Sequence, residues 1–197
     1  MRPYSDACER NREPILEVLR QRFADRRRVL ELGSGTGQHA VHFAAALPQL
    51  LWQTSELEPN LAGIRQWLEE AALPNLPPPI ALDVTGAWPD TRFDGVFTAN
   101  TLHIMSWRHV GSLFAALPQV LTADAVLAVY GPFNYNGRFT SPSNASFDEW
   151  LKQRSPHSGI RDFAAVDELA RSIGFALVED RPMPANNRTL VWRRSAA

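Results

Sequence analysis

Short apolar runs alternate with helix-period segments five times along this chain, and few architectures accept that order. The runs lie at 29–32, 50–55, 79–84, 93–100 and 125–131, with helical spacing at 38–47, 60–72 and 108–121 between them. A further helix is expected over 9–23, where Ile15, Leu16, Val18, Leu19 and Phe23 mostly share one face and Pro14 is tolerable near the start. Residues 132–162 break the rhythm: they are rich in Gly, Pro, Ser and Asn, with a short helix expected over 147–153. A last helix over 163–173 has Asp162 as N-cap and Gly174 as its stop. "FALVED" and "RTLVWRR" then flank "RPMPANN" as two antiparallel strands. The expectation is α/β: a seven-stranded, mostly parallel sheet with an antiparallel last strand and helices on both faces. Ligands of such sheets bind beyond the carboxyl ends of the strands.

Composition removes several classes of function. At 197 residues, 45% hydrophobic and 21% charged, the chain has the size and balance of one soluble domain, 1–197. A net charge of −1 argues against a dedicated nucleic-acid binder. The only tight basic run, Arg26 to Arg28, reads as a solvated helix end or loop rather than a phosphate contact. The lone Cys8 can form neither an internal disulfide nor a cysteine-based zinc site and reads as a small, partly buried side chain. No metal is expected, since only His39 and His42 come near a ligand spacing. "MRPYSDACERNREP" has no signal-peptide run, and no stretch reaches the ~18–20 apolar residues of a membrane span. A cytoplasmic protein without membrane or nucleic-acid partners, monomeric or homodimeric, is expected.

The first strand leads into "VLELGSGTGQHA", residues 29 to 40. The dinucleotide fingerprint G-x-G-x-x-G would need a glycine where Gln38 stands. Gly33, Gly35 and Gly37 instead follow G-x-G-x-G, with Glu31 just upstream. This resembles the first motif of class I S-adenosylmethionine-dependent methyltransferases, whose glycines let the backbone approach the methionyl part of the cofactor. Two further acids stand at strand ends: Glu56 in "SELEP", suited to accept from both ribose hydroxyls, and Asp83 in "LDV", where related enzymes bind the adenine amino group. Glu58 is a less well aligned alternative to Glu56. The antiparallel tail fits too, because class I methyltransferases insert a reversed seventh strand beside the sixth.

A narrower resemblance covers nearly the whole chain. "ERNREPILEVL", "SGTGQHAVHFA", "LDVT", "YGPF", "SPSNASFD", "GIRD" and "MPANN" are similar to segments of a methyltransferase-like family of unknown function that includes the animal methyltransferase-like protein twenty-six. The resemblance implies the Rossmann-like class I methyltransferase fold and S-adenosyl-L-methionine as ligand, with S-adenosyl-L-homocysteine as product. It names no substrate.

The methyl group is expected to face the ends of the fourth and fifth strands, where Asn100, Thr101, His103 and Tyr130 lie. His103 is the candidate base, because its ordinary pKa is near neutrality; the alternative is a histidine bonded within its own loop. Ser34, His39 and Asn11 join the cofactor candidates, His39 either lining the pocket or capping its turn. His42, His109 and His157 read as surface or packing residues. The amino-terminal helix, 1–25, is a candidate lid from which Arg10 and Asn11 reach a carboxylate of cofactor or substrate. Segment 132–162 is a candidate substrate-side insertion. Its polar candidates, taken with the tail, are Asn136, Asn144, Arg161 and Asn186, and its apolar walls Phe133 and Tyr135; Asn186 and Asn187 alternatively serve only the hairpin turn. Trp88 and Trp107 suit a substrate wall or a dimer contact. "ANTLHI" lacks the Asn/Asp-Pro-Pro-aromatic signature of enzymes that methylate base amino groups, which points to a small O-, N- or S-nucleophile. The alternative is a non-catalytic binder of the cofactor, a sensor or partner subunit, for which a shut or apolar pocket would speak. An NAD-dependent reductase is disfavoured by Gln38 and the reversed tail.

Overall fold

The computed structural model describes residues 2–195. Seven strands form one sheet in the order β3-β2-β1-β4-β5-β9-β8. They are β1 (Arg28–Leu32), β2 (Leu51–Glu56), β3 (Ile80–Ala81), β4 (Phe93–Ala99), β5 (Leu121–Gly131), β8 (Phe175–Met183) and β9 (Asn187–Arg194). β1 to β5 are mutually parallel, and β9 is inserted antiparallel between β5 and β8. This is the Rossmann-like arrangement expected above. An additional two-stranded sheet joins β6 (Phe133–Asn134) to β7 (Arg161–Asp162).

Alternation of side chains explains why both faces are covered. Along β5 and β9, Leu127, Val129, Leu190 and Trp192 enter one core, shared with α4 (Trp107–Ala116) and α6 (Phe163–Ser172). Val126, Ala128, Tyr130 and Val191 enter the other, shared with α1 (Asp6–Arg22) and α2 (Gln38–Ala46). Trp52, fully buried in that second core, packs on Phe23, Phe43 and Phe97. α3 (Leu61–Ala71) lays Leu61, Ile64 and Leu68 against Val41 of α2.

Several boundaries differ from expectation for identifiable reasons. α1 begins at Asp6, because Ser5 caps it through the Cys8 amide, so Pro14 lies in its interior. β3 keeps two residues: three prolines precede it, and Asp83 Oδ1 ends it by accepting from the Thr85 amide and hydroxyl. α5 runs over Pro142–Arg154, longer than expected, since Ser141 caps it and Pro142 presets its first turn. Arg26 is 4% exposed and bonds Asp25 and the side chain and carbonyl of Asp124, so this residue is not solvated, whereas Arg27 and Arg28 are exposed. Arg26 clamps the turn before β1 to β5. No helix among the described residues is long and apolar enough to cross a membrane.

Candidate functional site

The carboxyl ends of β1, β2, β4 and β5 open into one cleft of about 1570 Å³. A single small ligand typically occupies ~300–1,000 Å³. The cleft has room for two reactants side by side.

Its floor is the turn from β1 to α2. Gly33 and Gly35 adopt left-handed φ of +67° and +57°. At Gly33 an added Cβ would sit 2.8 Å from the Thr101 side chain; at Gly35 it would meet nothing within 4 Å. The first glycine lets two loops close on each other, and the second leaves open space above the backbone. Glu56, at the end of β2, holds this turn in place: Oε2 accepts from the Gly35 amide at 3.0 Å, and Oε1 from the Leu57 amide at 2.9 Å and Asn60 Nδ2 at 3.4 Å. A carboxylate has about four acceptor positions, so Glu56 keeps capacity for a ligand's hydroxyls. Beyond β3, Asp83 is exposed, and its hydrogen bonds from Thr85 hold its carboxyl below the usual range. An open glycine turn, an anion and a second anion at the ends of the adjacent strands β1, β2 and β3 suit a cofactor with a ribose and an adenine.

Across the cleft, Asn100 adopts φ +56°, and its amide donates to the Tyr130 carbonyl at 2.9 Å. Sparsely populated backbone of this kind clusters at functional sites. His103 is buried, and its ring meets Phe147 edge-on with centroids 5.3 Å apart. Its ring nitrogens have no hydrogen-bond partner among the described residues. Burial, then the positive charge of Arg161, lowers its pKa to about 4. The Tyr130 hydroxyl lies beside the amides of Asn11 and Asn187, and burial raises its pKa. His39 Nε2 is 2.6 Å from Asn11 Oδ1, which makes Nε2 the protonated nitrogen, and burial holds its pKa at about 4. Arg10 is exposed on the α1 wall and makes no ion pair or hydrogen bond among the described residues.

Gln38, which argued against a dinucleotide, has a positive role. Its Oε1 accepts from the Ser5 amide at 2.6 Å and the Thr36 hydroxyl at 3.0 Å. Its Nε2 donates to the Ser5 carbonyl at 3.4 Å and to Glu9 at 2.9 Å. All four hydrogen-bonding positions of the amide are used, three of them on the amino-terminal end of α1. Gln38 therefore ties the helix carrying Cys8, Arg10 and Asn11 to the glycine turn. Gln38→Ala is expected to speed amide hydrogen exchange over residues 5–11 about tenfold or more, from the loss of buried bonds worth ~1–3 kcal/mol. Gln38→Glu should not restore protection, because its carboxylate would face Glu9.

Of the residues singled out from sequence, Arg10, Asn11, Gly33, Ser34, Gly35 and His39 line the cleft. So do Glu56, Asp83, Asn100, His103, Tyr130 and Asn144. Thr101 lines it as well, whereas the remaining cofactor and substrate candidates stand outside its walls. Glu31 is buried behind the glycine turn, accepting from Trp52 Nε1 at 3.1 Å, and burial raises its pKa to about 7. Gly37 faces Ile64 and Trp67. Phe133 is in the sheet core, and Tyr135 stacks on Phe163 and donates to Asp180, so neither is an apolar wall of the cleft. Asn136 and Gly137 form the turn between Tyr135 and Arg138. Arg161 spends its guanidinium on the carbonyls of Leu102, Met105 and His157. Asn186 sits in the β8–β9 turn beside left-handed Ala185, its carbonyl accepting from Asn144. His109 and His157 do line the cleft, against expectation, whereas His42 lies outside it beside Glu13. Sequence reasoning missed Ile104, Met105, Phe147 and Trp150, and it had Asn187 only as a turn residue. The Ser141-Pro142 helix start was the available signal for Phe147 and Trp150. No cluster of three or more His, Cys, Asp or Glu among the described residues is placed to hold a metal ion.

A family model described as "Protein of unknown function (DUF938)" matches residues 2–194. Among solved structures, an O-methyltransferase family protein from Burkholderia thailandensis superimposes with a TM-score of 0.84 at 19% identity, covering 98% of this chain and 58% of that one. The riboflavin-derivative dimethyltransferase RosA from Streptomyces davawensis gives 0.77 at 18%, covering 96% and 55%. The O-methyltransferase NcsB1 from neocarzinostatin biosynthesis, solved with S-adenosylmethionine and 2-hydroxy-5-methyl naphthoic acid, gives 0.76 at 14%, covering 97% and 55%. The chain spans little more than half the length of these proteins. At such identities the likeness establishes the fold: that of class I S-adenosylmethionine-dependent methyltransferases.

Proposed function

We propose, from the premise that this chain belongs to the DUF938 family of proteins of unknown function, that it is an S-adenosylmethionine-dependent methyltransferase acting on a small-molecule nucleophile. The observation that carries this reading is the hold of Glu56 on the Gly35 amide at the head of a cleft large enough for two reactants. It joins the ribose-binding anion to the open backbone in one unit. The cofactor, when bound, supplies an electrophilic methyl group on a positively charged sulfur.

The chain's own residues do the rest. In this reading Gly33, Ser34 and Gly35 receive the methionyl part on bare backbone. Glu56 takes the ribose hydroxyls and Asp83 the adenine amino group, while Asn11, His39 and Asn100 bound the methionyl end. Glu31 and Gly37 act from behind, by fixing the turn. With a pKa of about 4, His103 is neutral at pH 7 and able to accept, although a weaker base than the near-neutral value of an ordinary histidine suggested; it takes the proton of an acceptor hydroxyl, with Tyr130 and Asn100 positioning the nucleophile. Arg10 and Asn144 contact the substrate, while Phe133, Asn136, Arg161 and Asn186 shape its wall from outside. α1 serves as the lid and 132–162 as the substrate-side insertion. An open cleft bearing histidines supports an enzyme over a sensor.

Calorimetric titration tests the cofactor first. S-Adenosylmethionine and S-adenosylhomocysteine should bind and NAD should not; a folded protein that binds neither of the first two removes the proposal. Once an acceptor is found, His103→Ala should lower kcat about 100-fold or more, the ordinary worth of a general base, with cofactor affinity unchanged. A fall confined to KM would make His103 a contact and not a base.

A further inference from the structure

Histidines aside, only Arg10, Glu56 and Asp83 among the residues lining the cleft carry a formal charge at neutral pH. The two carboxylates stand at the β2 and β3 ends, on the proposed nucleoside side. The half between β4, β5 and α5 has no acid, and the nearest formal charge in its wall is Arg10, close enough to Tyr130 to act on its hydroxyl. Large apolar side chains make up much of its surface. Phe147 and Trp150 of α5, three residues apart and so on one helix face, stack with centroids 5.7 Å apart and planes 20° apart. Ile104 and Met105 extend this surface, and Ile104 and Trp150 are 56% and 44% exposed. Polar contact comes from neutral groups. Asn144 Nδ2 donates to the Asn186 carbonyl and to the Thr140 hydroxyl, which leaves its Oδ1 as an acceptor.

We propose that the methyl acceptor is a flat aromatic compound without positive charge, seated on the Phe147–Trp150 wall with a hydroxyl turned towards His103. The proposal rests on the methyltransferase reading and narrows its substrate class. Aromatic faces also attract cations, but here that capacity is taken: the Arg154 guanidinium lies 4.0 Å from the Trp150 ring centroid. A cationic acceptor would meet Arg154 and Arg10 with no acid to balance them. A planar ring gains the covered apolar area and edge-to-face contact with the Phe147–Trp150 stack, a geometry that aromatic pairs favour.

The test is calorimetric titration of the full chain saturated with S-adenosylhomocysteine, whose own binding is measured beforehand. The probes are 2-naphthol, its saturated counterpart decahydro-2-naphthol, and 2-naphthylmethylamine, a cation at pH 7. The expected result is about tenfold tighter binding of 2-naphthol than of either other probe. Phe147→Leu and Trp150→Leu, which keep apolar bulk, should each bring 2-naphthol close to the saturated probe. Equal binding of the ring and its saturated form, a preference surviving both substitutions, or tightest binding of the amine overturns the proposal. If S-adenosylhomocysteine fails to bind while the naphthol preference holds, the cofactor reading falls and the aromatic subsite stands. If it binds and the preference is absent, only the subsite falls.

Discussion

Replacing Glu56 with alanine weakens S-adenosylhomocysteine binding about 100-fold. The carboxylate has two tasks. One is to receive the ligand's hydroxyls; the other is to hold the Gly35 and Leu57 amides, at 3.0 and 2.9 Å. Hydrogen bonds to a charged group are worth ~1.5–3 kcal/mol each, and 1.4 kcal/mol is a factor of ten. Losing the ligand contacts alone reaches the stated size, and a slackened glycine turn adds to it. Glu56→Gln recovers little, because its amino group would oppose one of the two backbone N–H donors. The measurement is titration calorimetry on variants whose thermal unfolding shows an intact fold. Binding within threefold of wild type would remove Glu56 from the cofactor site and place the nucleoside elsewhere.

Acidification from pH 6.5 to 4.5 is expected to cost about 3 kcal/mol of stability, and three buried groups set the sign. His39 and His103 have folded pKa values lowered from 6.5 to about 4. Between these values the unfolded chain binds two protons that the folded chain refuses, so stability falls with pH. Glu31 works the other way: burial raises its pKa from 4.5 to about 7, so in this window the folded chain holds one proton that the unfolded chain releases. The net difference is one proton, or about 1.4 kcal/mol for each pH unit. Glu31→Gln keeps an acceptor for Trp52 Nε1 and removes the opposing proton. The same acidification should then cost it about 5 kcal/mol. Urea unfolding at pH 4.5, 5.5 and 6.5 reads both slopes. A flat wild-type profile, or no steepening in Glu31→Gln, would mean that water reaches these side chains.

How much could be read in advance depended on how local the cause was. The parallel strands, the reversed tail and the glycine turn were legible because each is a periodicity or a steric need contained in a few residues. Asp162 as a cap and Gly174 as a stop were legible for the same reason. Phe133 and Arg161 were wall and polar-loop candidates whose surroundings no local pattern revealed. The first is core and the second binds three carbonyls, whereas the hairpin turn at Asn186 was one of the two readings its residue type allowed. Arg26 looked solvated because its partner Asp124 lies 98 residues away.

By itself, the sequence determined the order and type of the elements and the bare backbone at Gly33 and Gly35, since backbone sterics and side-chain alternation act between near neighbours. The tertiary structure alone decided that Gln38 would hold α1 over the glycine turn, that Glu56 would grip Gly35 from the next strand, and that Phe147 would meet His103. Those contacts span 33, 21 and 44 positions of chain, and a pairing at such range follows from packing two faces of a sheet, which no local pattern encodes.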